Sequence, residues 1–528
     1  MTKQKSIQLT HKWQMTLVYF GLVSLGLSQP IFNNIELFRR EFQMNAMDVV
    51  AIVIIFQYAI TGFLLLIRKI LNRIFLQQGF DFLIVIGAVI SFIRQVQLHH
   101  LKTEGMPSND KIFLVVGLLV IAIIAVVLFR RFLILAAEYA GWISPIFGIV
   151  FVYNLMNHPL PLNRGGDEDM PTTDKPAVLL VIMDEFALSM ILNKAGQINA
   201  NRFPNFSKMK SQSIWYKNAI TNYPTSSFSF PSFLTSKINF NYNLSMVNDL
   251  ETLPPNNIFK VLNQNGYSIK IYTDYFGCAG RTFFCDSYLN GSDPQFFLKT
   301  FFKFVEEFGP DFLVDRIFPS IHGAQLKHQT QELLEAARNL KPGNFHMLHM
   351  MTSHAPYVLS PDGRNRHSKN LRMAPGVDFN LALENYESQL LYLDRVIGEF
   401  LEVYEARSPD LPLIAMFVSD HGNCWTSACP GRVQPAKIKT VMPSLTSIPT
   451  FLMVPGQTPR TDNDDFQLID LAPTLLSTLN IDVSLLGADI DGVTRFNSPP
   501  KERSRAFFLS IDTKPLHIPI PNRAVEVE

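Results

Sequence analysis

Val178-Leu-Leu-Val-Ile-Met-Asp-Glu185 and Ile414-Ala-Met-Phe-Val-Ser-Asp-His-Gly422 are two apolar runs that each end in residues able to bind a metal. A short apolar run bounded by polar residues is typical of a strand buried on both faces of a parallel sheet. Ligands in open α/β sheets bind at the carboxyl ends of such strands. If the two strands are neighbours, Asp184-Glu185 and Asp420-His421 offer carboxylates and an imidazole to one divalent metal. The two runs therefore predict an enzyme with a metal site at its strand tips.

The composition differs between the two ends of the chain. The 528 residues carry a formal net charge of +1 and a pI near 7.7, which gives no electrostatic reason to expect nucleic-acid binding. Residues 1–157 are dominated by Leu, Ile, Val, Phe and Ala, whereas the remainder resembles a soluble domain in composition. Helix-like and strand-like segments alternate through residues 177–528, and this alternation predicts a doubly wound, mostly parallel α/β sheet.

The apolar N-terminal part contains uncharged stretches close to the ~20 residues that a membrane-spanning helix requires. These stretches are Met15–Ile35, Val49–Ile67, Ile112–Phe129 and Tyr139–Met156, and Phe82–Ile93 is a shorter fifth candidate. The first stretch is too long for a removed signal peptide and lacks a cleavage-site pattern. Residues 1–157 are therefore predicted to form a multi-span α-helical membrane domain of about five helices.

Basic residues orient these predicted helices. Clusters of Lys and Arg lie before the first span, after the second and between the fourth and fifth, and the positive-inside rule places them in the cytoplasm. Residues 158–176 are rich in Pro, Gly and acidic residues and are predicted to be a linker. With five spans, residues 177–528 would lie on the periplasmic, extracytoplasmic side of the inner (cytoplasmic) membrane.

The four cysteines form two close pairs in the sequence, Cys278 with Cys285 and Cys424 with Cys429. Their spacings do not match paired zinc knuckles. Two local disulfides would require an oxidising compartment, in agreement with the predicted topology. The alternative is that all four are buried thiols.

Thr221–Ser236 contains eight Ser and Thr residues with apolar residues between them. Ser and Thr cap helix N-termini, and capping alone would explain hydroxyls here. A nucleophile at the same place would benefit from the backbone N–H groups, which stabilise an anion. Metal coordination would lower the pKa of such a hydroxyl. The two interpretations are compatible.

Phe345–Tyr357 is predicted to be a strand that runs into a loop, and it contains three histidines. His346 and His349 are each interpreted as core or surface histidines. His354 lies at the carboxyl end of the strand, before Ala-Pro-Tyr, where it could contact a substrate anion.

Taken together and in this order, these segments resemble the alkaline phosphatase and sulfatase superfamily. Within it they most resemble the membrane-bound phosphoethanolamine and phosphoglycerol transferases. The resemblance covers about residues 175–496 and the multi-span N-terminus. It rests on Asp184-Glu185, Ser229-Phe-Pro-Ser-Phe-Leu-Thr-Ser236, Ser353-His-Ala-Pro-Tyr357, Ser419-Asp-His-Gly422, Ile448-Pro-Thr-Phe-Leu-Met-Val-Pro-Gly456 and Asp470–Leu479.

The resemblance implies a central sheet between helices, with one or two metals at the strand tips. The implied metal ligands are Asp184, Glu185, Ser226, Asp420 and His421. Ser226 would also be the nucleophile, or Thr225 if the register is off by one, and His354 would bind the phosphoryl group. Zinc is the expected metal, and manganese or calcium would also fit carboxylate and imidazole ligands.

The sequence departs from the family pattern in three respects. Ser226 stands where these transferases usually have Thr, and the histidine expected downstream of His421 is missing. No Cys- or Ser-x-Pro-Ser-Arg motif occurs, which disfavours a formylglycine sulfatase.

The resemblance implies a membrane-anchored transferase. It would move a phospholipid head group, such as phosphoethanolamine, through a phospho-seryl intermediate to an envelope lipid or glycan, lipid A among the candidates. The alternatives are a sulfatase-like hydrolase, acting as a phosphatase, phosphodiesterase or sulfatase at the same site, and a catalytically inactive binding protein. The expected partners are a phospholipid donor, an envelope acceptor and the membrane, without nucleic acid.

Overall fold

A computed structural model describes part of the chain. The described residues are 18–21, 23, 61–71, 174–238, 253–254, 256–273, 284–286, 311–366, 378–408, 410–423, 425–426, 429–430, 443–497, 505–508 and 516–517. The chain divides into two compact units, Met1–Leu160 and Pro161–Glu528.

In the first unit, the described residues 18–21, 23 and 61–71 are helical. No helix among the described residues is both long enough and apolar enough to cross a membrane. Apart from the two helical segments, the five predicted spans lie outside the described residues, as do residues 158–173 of the predicted linker. Each predicted disulfide has one member, Cys278 or Cys424, outside the described residues as well. The membrane domain, the linker and the disulfides therefore stay predictions.

The second unit is built on an eight-stranded sheet with the strand order β10-β2-β9-β6-β1-β5-β3-β4. The strands are β1 (Ala177–Met183), β2 (Ile214–Ile220), β3 (Ser268–Tyr272), β4 (Phe284–Asp286), β5 (Asn344–Met350), β6 (Leu413–Ser419), β9 (Thr450–Met453) and β10 (Arg460–Gln467). Two small antiparallel pairs lie apart from this sheet: β7 (Trp425–Thr426) with β8 (Cys429–Pro430), and β11 (Ala506–Phe507) with β12 (Leu516–His517).

Seven α-helices of the second unit are described. They are α1 (Pro204–Ser211), α2 (Ser226–Thr235), α3 (Ile258–Gln264), α4 (Asp311–Asn339), α5 (Phe379–Glu405), α6 (Pro443–Thr446) and α7 (Leu471–Thr478). Short 3₁₀ helices occupy Leu188–Ile191, Leu468–Asp470 and Val483–Leu486.

The central strand β1 shows why the sheet is covered on both faces. All seven of its residues are buried, and alternate side chains of a strand point to opposite faces. Val178, Leu180 and Ile182 pack in a cluster with apolar residues of α2, α3 and α7. Leu179, Val181 and Met183 pack in a second cluster with residues of α1, α4 and α5. The predicted doubly wound α/β fold is confirmed.

Strand pairing brings the two apolar runs of the sequence side by side. β1 is parallel to β6 and to β5, with Met183 opposite both Ser419 and Met350. Asp184 and Asp420 thus follow residues that are paired with each other. The sheet is mostly parallel as predicted, but β9 runs antiparallel between β6 and β2.

Candidate active site

Three buried side chains form a group that could hold a metal ion at the carboxyl ends of adjacent strands. Asp184, His349 and Asp420 each offer one ligand atom, and these atoms lie within 4.8 Å of one another. Asp184 and Asp420 follow β1 and β6, and His349 is the penultimate residue of β5. Burying two carboxylates together is costly unless a cation neutralises them. Asp420 Oδ2 is buried and accepts no hydrogen bond from any described residue, as expected of an oxygen reserved for a metal. The residues fit a divalent metal.

His421 lies at the edge of this group. Its Nε2 is 3.7 Å from Asp184 Oδ1 and 3.5 Å from Asp420 Oδ2. Its Nδ1 lies 2.8 Å from the carbonyl oxygen of Gly422, and a hydrogen bond there places the proton on Nδ1. Such a bond fixes the tautomer of a metal-binding histidine and leaves Nε2 free to coordinate.

The peptide chain at the tip of β6 is held by short side-chain bonds. Asp420 Oδ1 accepts hydrogen bonds from the backbone N–H groups of His421 (2.8 Å) and Glu185 (3.1 Å). Ser419 Oγ donates to the carbonyl of His421 at 2.7 Å, and Thr221 Oγ1 donates to that of Asp420 at 2.7 Å. These bonds fix the direction of the Asp420 carboxylate, whose Oδ2 then faces the metal-binding group.

Glu185 adopts a backbone conformation that L-residues seldom use. Its φ is +61°, in the left-handed region where the Cβ atom is crowded. Its Oε2 lies 3.7 Å from His354 Nε2. The structure therefore places two of the predicted site residues, Glu185 and His354, together beside the Asp184 group.

Ser226 is the first residue of α2, and its hydroxyl points into the site. Its Oγ lies 3.3 Å from His421 Nε2 and 3.5 Å from Asp184 Oδ1. No side-chain cap closes the N-terminus of this ten-residue helix, so its first N–H groups remain available to an anion. Thr225 is the N-cap residue, and its buried Oγ1 has no hydrogen-bond partner among the described residues. Of the two candidate nucleophiles, Ser226 is the one with contacts to candidate ligands.

Ser229, one turn further along α2, lies behind this arrangement, with its Oγ 3.5 Å from Thr221 Oγ1. Its Oγ donates to the carbonyl of Tyr223 at 3.2 Å. It begins Ser229-Phe-Pro-Ser-Phe233, the segment nearest to a Ser-x-Pro-Ser-Arg motif, and Phe233 is buried in the core where that motif has Arg. This geometry gives no support to a formylglycine at position 229.

Burial and neighbouring charges move the pKa values of the site in different directions. Burial and the adjacent Asp184 charge raise the pKa of Asp420. Burial by itself would raise the pKa of Asp184 too, but His354, His349 and His421 outweigh it and lower the net value. Burial would lower the pKa of His421, but the surrounding carboxylates, Asp420 foremost, raise it. Positive charge is thus favoured at the centre of the group.

His349 is the site residue that the sequence interpretation did not single out. Its Nε2 lies 3.2 Å from Asp184 Oδ2, and its Nδ1 lies 3.4 Å from Thr273 Oγ1. It is buried, but at the strand tips rather than in an apolar part of the core. The feature of the sequence that could have indicated His349 is its position near the end of the predicted strand that leads to His354. That signal becomes informative only once β5 is known to pair with β1.

Comparison with known families matches residues 176–481, more than half of the chain, to the family described as Sulfatase. No curated protein sequence matches the chain.

Solved structures of similar fold include sulfatases and transferases. BT1596, described as a 2-O GAG sulfatase, is 15% identical with a TM-score of 0.42, over 61% of this chain and 73% of that one. The lipoteichoic acid synthase LtaP from Listeria monocytogenes is 15% identical with a TM-score of 0.37, over 63% and 79%. The soluble domain of lipooligosaccharide phosphoethanolamine transferase A from Neisseria meningitidis is 14% identical with a TM-score of 0.37, over 59% and 92%. With these TM-scores, no conclusion on activity rests on the three similarities.

Proposed function

The chain belongs to the sulfatase family, and we propose that this sulfatase-like enzyme is a metal-dependent transferase of a phospholipid head group. The group, such as phosphoethanolamine, would pass through a phospho-seryl intermediate on Ser226 to an envelope lipid or glycan. The predicted membrane domain and the predicted periplasmic location of residues 177–528 belong to the same proposal. They would keep the site beside its lipid donor and raise the effective concentration of that donor.

The observation that carries the proposal is the position of the Ser226 hydroxyl. It lies at a helix N-terminus, 3.3 Å from His421 Nε2 and 3.5 Å from Asp184 Oδ1. An unassisted serine hydroxyl is a weak nucleophile at neutral pH. Here it lies against the side chains that fit a metal, and the Phe233 position disfavours the formylglycine route.

The site residues have different roles in the proposed reaction. Asp184, His349 and Asp420 would hold the metal, together with Glu185 and His421 as further ligands. When bound, a divalent metal, zinc being expected, lowers the pKa of a hydroxyl and neutralises phosphoryl charge.

Ser226 Oγ would attack phosphorus while the bond from phosphorus to the diacylglycerol oxygen breaks. The phosphoryl head group would remain on the serine, and the diacylglycerol oxygen would take a proton from solvent. Two described acceptors for the serine proton lie within reach, His421 Nε2 at 3.3 Å and Asp184 Oδ1 at 3.5 Å. The N–H groups that open α2 can stabilise negative charge on the phosphoryl oxygens. His354 has a side chain 17% exposed, so it can contact a substrate that enters from solvent.

The experiment that tests the proposal uses the full chain in phospholipid nanodiscs with head-group-labelled phosphatidylethanolamine and lipid A. We expect diacylglycerol release and labelled lipid A from the wild type, and neither from Ser226→Ala. Ser229→Ala is the matched control, because the contacts given for the Ser229 hydroxyl are with Thr221 Oγ1 and the Tyr223 carbonyl and not with a candidate metal ligand. It should retain activity. Activity in Ser226→Ala together with its loss in Thr225→Ala would show that the register is off by one.

Hydrolysis is the second candidate, and the match to the sulfatase family favours it. Water would take the group from Ser226 with the same residues in the same roles. The labelled lipid separates the two candidates, because hydrolysis releases free head group and leaves every acceptor unlabelled.

A further inference from the structure

Two side chains on one face of α5 contact the two loops that carry Glu185 and His354. Tyr386 and Gln389 lie three residues apart, so they occupy neighbouring positions on the helix surface. Tyr386 reaches the Glu185 loop and Gln389 reaches the His354 loop. We propose that this face of α5 sets the position of Glu185 against His354, with Tyr386 as the positioning residue for Glu185. The inference rests on the proposed function insofar as that function assigns both residues to the active site.

Tyr386 holds the peptide groups on the carboxyl side of Glu185. Its Oη donates to the carbonyl oxygen of Glu185 at 3.4 Å and accepts from the N–H of Ala187 at 3.3 Å. The other side of Glu185 is held by Asp420, whose Oδ1 accepts from the Glu185 N–H.

This double attachment matters because of the backbone conformation of Glu185. A left-handed conformation costs free energy in any residue with a Cβ atom, and it persists only where the surroundings impose it. With φ at +61°, Glu185 is restrained through its N–H by Asp420 and through its carbonyl by Tyr386. Loss of either restraint lets the carboxylate of Glu185 move away from its position.

Aromatic packing fixes the Tyr386 hydroxyl in turn. The ring stacks on Trp425 with centroids 4.1 Å apart and an interplanar angle of 19°. It also meets the ring of Tyr357 edge-on at 5.1 Å. A ring held on two sides has little rotational freedom, so the hydroxyl is presented to the Glu185 loop in one orientation.

Gln389 attaches the second loop to the same helix. Its Oε1 accepts from the N–H groups of Val358 (2.8 Å) and Leu359 (3.1 Å), and its Nε2 donates to the carbonyl of His354 at 3.3 Å. Side chains of one helix, α5, thus hold the backbone on both sides of the 3.7 Å contact between Glu185 Oε2 and His354 Nε2.

Tyr392 on the same helix is a matched control. It is buried like Tyr386, and its hydroxyl lies 3.0 Å from Thr330 Oγ1 on α4. Tyr392→Phe and Tyr386→Phe each remove one buried hydroxyl from one helix. They should therefore lower the thermal midpoint of the metal-free protein by similar amounts, about 4 °C or less.

The deciding measurement is zinc affinity of the full chain, determined by competition with a chelator. Outer-shell partners of metal ligands typically affect affinity by about 10–100-fold. We expect the zinc dissociation constant to rise at least about tenfold in Tyr386→Phe and to stay within about twofold in Tyr392→Phe. In the turnover assay, Tyr386→Phe should lower kcat with little change in KM.

Equal zinc affinity in the two variants would overturn the inference, whatever the activity of the wild type. A wild type that binds zinc but neither transfers nor hydrolyses a head group would overturn the proposed function, and the two affinities would still decide the role of Tyr386. A wild type that binds neither zinc, manganese nor calcium would contradict both.

Discussion

Asp420 combines two tasks in one carboxylate. Oδ1 accepts hydrogen bonds from two backbone N–H groups, whereas Oδ2 faces the metal-binding group. Burial and the Asp184 charge raise the pKa of Asp420, so its ionised form is less favoured than that of an exposed aspartate. A cation would reverse that balance.

Asp420→Asn separates these two tasks. The amide oxygen can keep both backbone bonds, but an NH₂ group in place of Oδ2 cannot bind a metal. We expect zinc affinity to fall at least about tenfold, while the thermal midpoint of the metal-free protein is unchanged or higher. Equilibrium dialysis with atomic emission measures the first quantity and differential scanning calorimetry the second.

Asp394→Asn is the control, because Asp394 is also a buried carboxylate but accepts from Asn205 and Phe206 at the start of α1. It should leave zinc affinity unchanged. If Asp420→Asn bound zinc as tightly as Asp394→Asn, Asp420 would not be a ligand.

The segment after β6 approaches α6 so closely that Gly422 has no room for a side chain. A Cβ atom there would lie 2.1 Å from the carbonyl oxygen of Ser444 and 2.9 Å from that of Leu445. Gly422 also donates its N–H to Leu445 at 3.0 Å, so the backbone cannot move away without losing a bond.

Gly422→Ala should therefore displace His421 and destabilise the protein by about 3 kcal/mol. Gly456→Ala is the control, because a Cβ atom there meets nothing within 4 Å and only the positive φ of +78° opposes it, at about 1 kcal/mol. Thermal midpoints of the full chain compare the two. Equal decreases of the thermal midpoint in the two variants would show that α6 can move to accommodate a side chain at position 422.

In β5, His346 makes stability depend on pH. Burial, with a smaller effect from Lys270, lowers the pKa of His346 to about 3. Its ordinary value in the unfolded chain is about 6.5. Between these values the unfolded state binds the proton and the folded state does not, so stability falls as the pH falls from 6.5 towards 3.

This contribution should amount to about 1.4 kcal/mol per pH unit within that window. His346→Leu should flatten the acid side of the stability profile, measured as thermal midpoint between pH 7 and pH 4. An unchanged slope would mean that His346 is protonated in the folded protein.

The elements that could be predicted are those whose environment is uniform along their length. β1 and β6 are apolar throughout because both faces are covered, so their limits are visible in the sequence. The order of the strands is not, since it depends on packing between distant segments. The four-residue β9, antiparallel between β6 and β2, gives no local sign of its direction.

The site residues likewise divide into those that local sequence indicates and those that depend on contacts between distant segments. Asp184, Asp420, His421 and Ser226 adjoin recognisable strand ends or a helix start, so the sequence could indicate them. The role of His349 depends on which strand lies beside β1, and the role of Tyr386 depends on the packing of α5 against that edge. The left-handed φ of Glu185 is equally a product of tertiary contacts.

At the scale of the whole second unit, a buried ionic network attaches the C-terminal segment to the sheet edge. Asp465 of β10 lies 3.1 Å from Arg505 Nε and 3.5 Å from Arg495 Nη2. Arg505 also donates to the carbonyl of Asn218 in β2 at 2.6 Å. The attached segment also bonds to Asn222, which lies four residues before Ser226. The side-chain amide of Asn222 donates to the carbonyl of Ala506, and the carbonyl of Asn222 accepts from the N–H of Phe508.

Arg505→Met should destabilise the protein by about 3 kcal/mol, because it leaves the buried Asp465 with one of its cations missing. Lys237→Met is the control, since Lys237 pairs with the exposed Asp489 and such surface pairs contribute little. Thermal midpoints of the full chain make the comparison. Similar midpoints for both variants would show that the Arg505 pair is solvated.

Mass spectrometry can show whether Ser226 carries the transferred group. The full chain would be incubated with phosphatidylethanolamine, quenched in acid and digested. We predict a phosphoethanolamine adduct on Ser226 in the wild type, depleted when an acceptor is added and absent from Ser226→Ala. An adduct on Thr225 or on another residue, or turnover with no adduct on any residue, would rule out a phospho-seryl intermediate on Ser226.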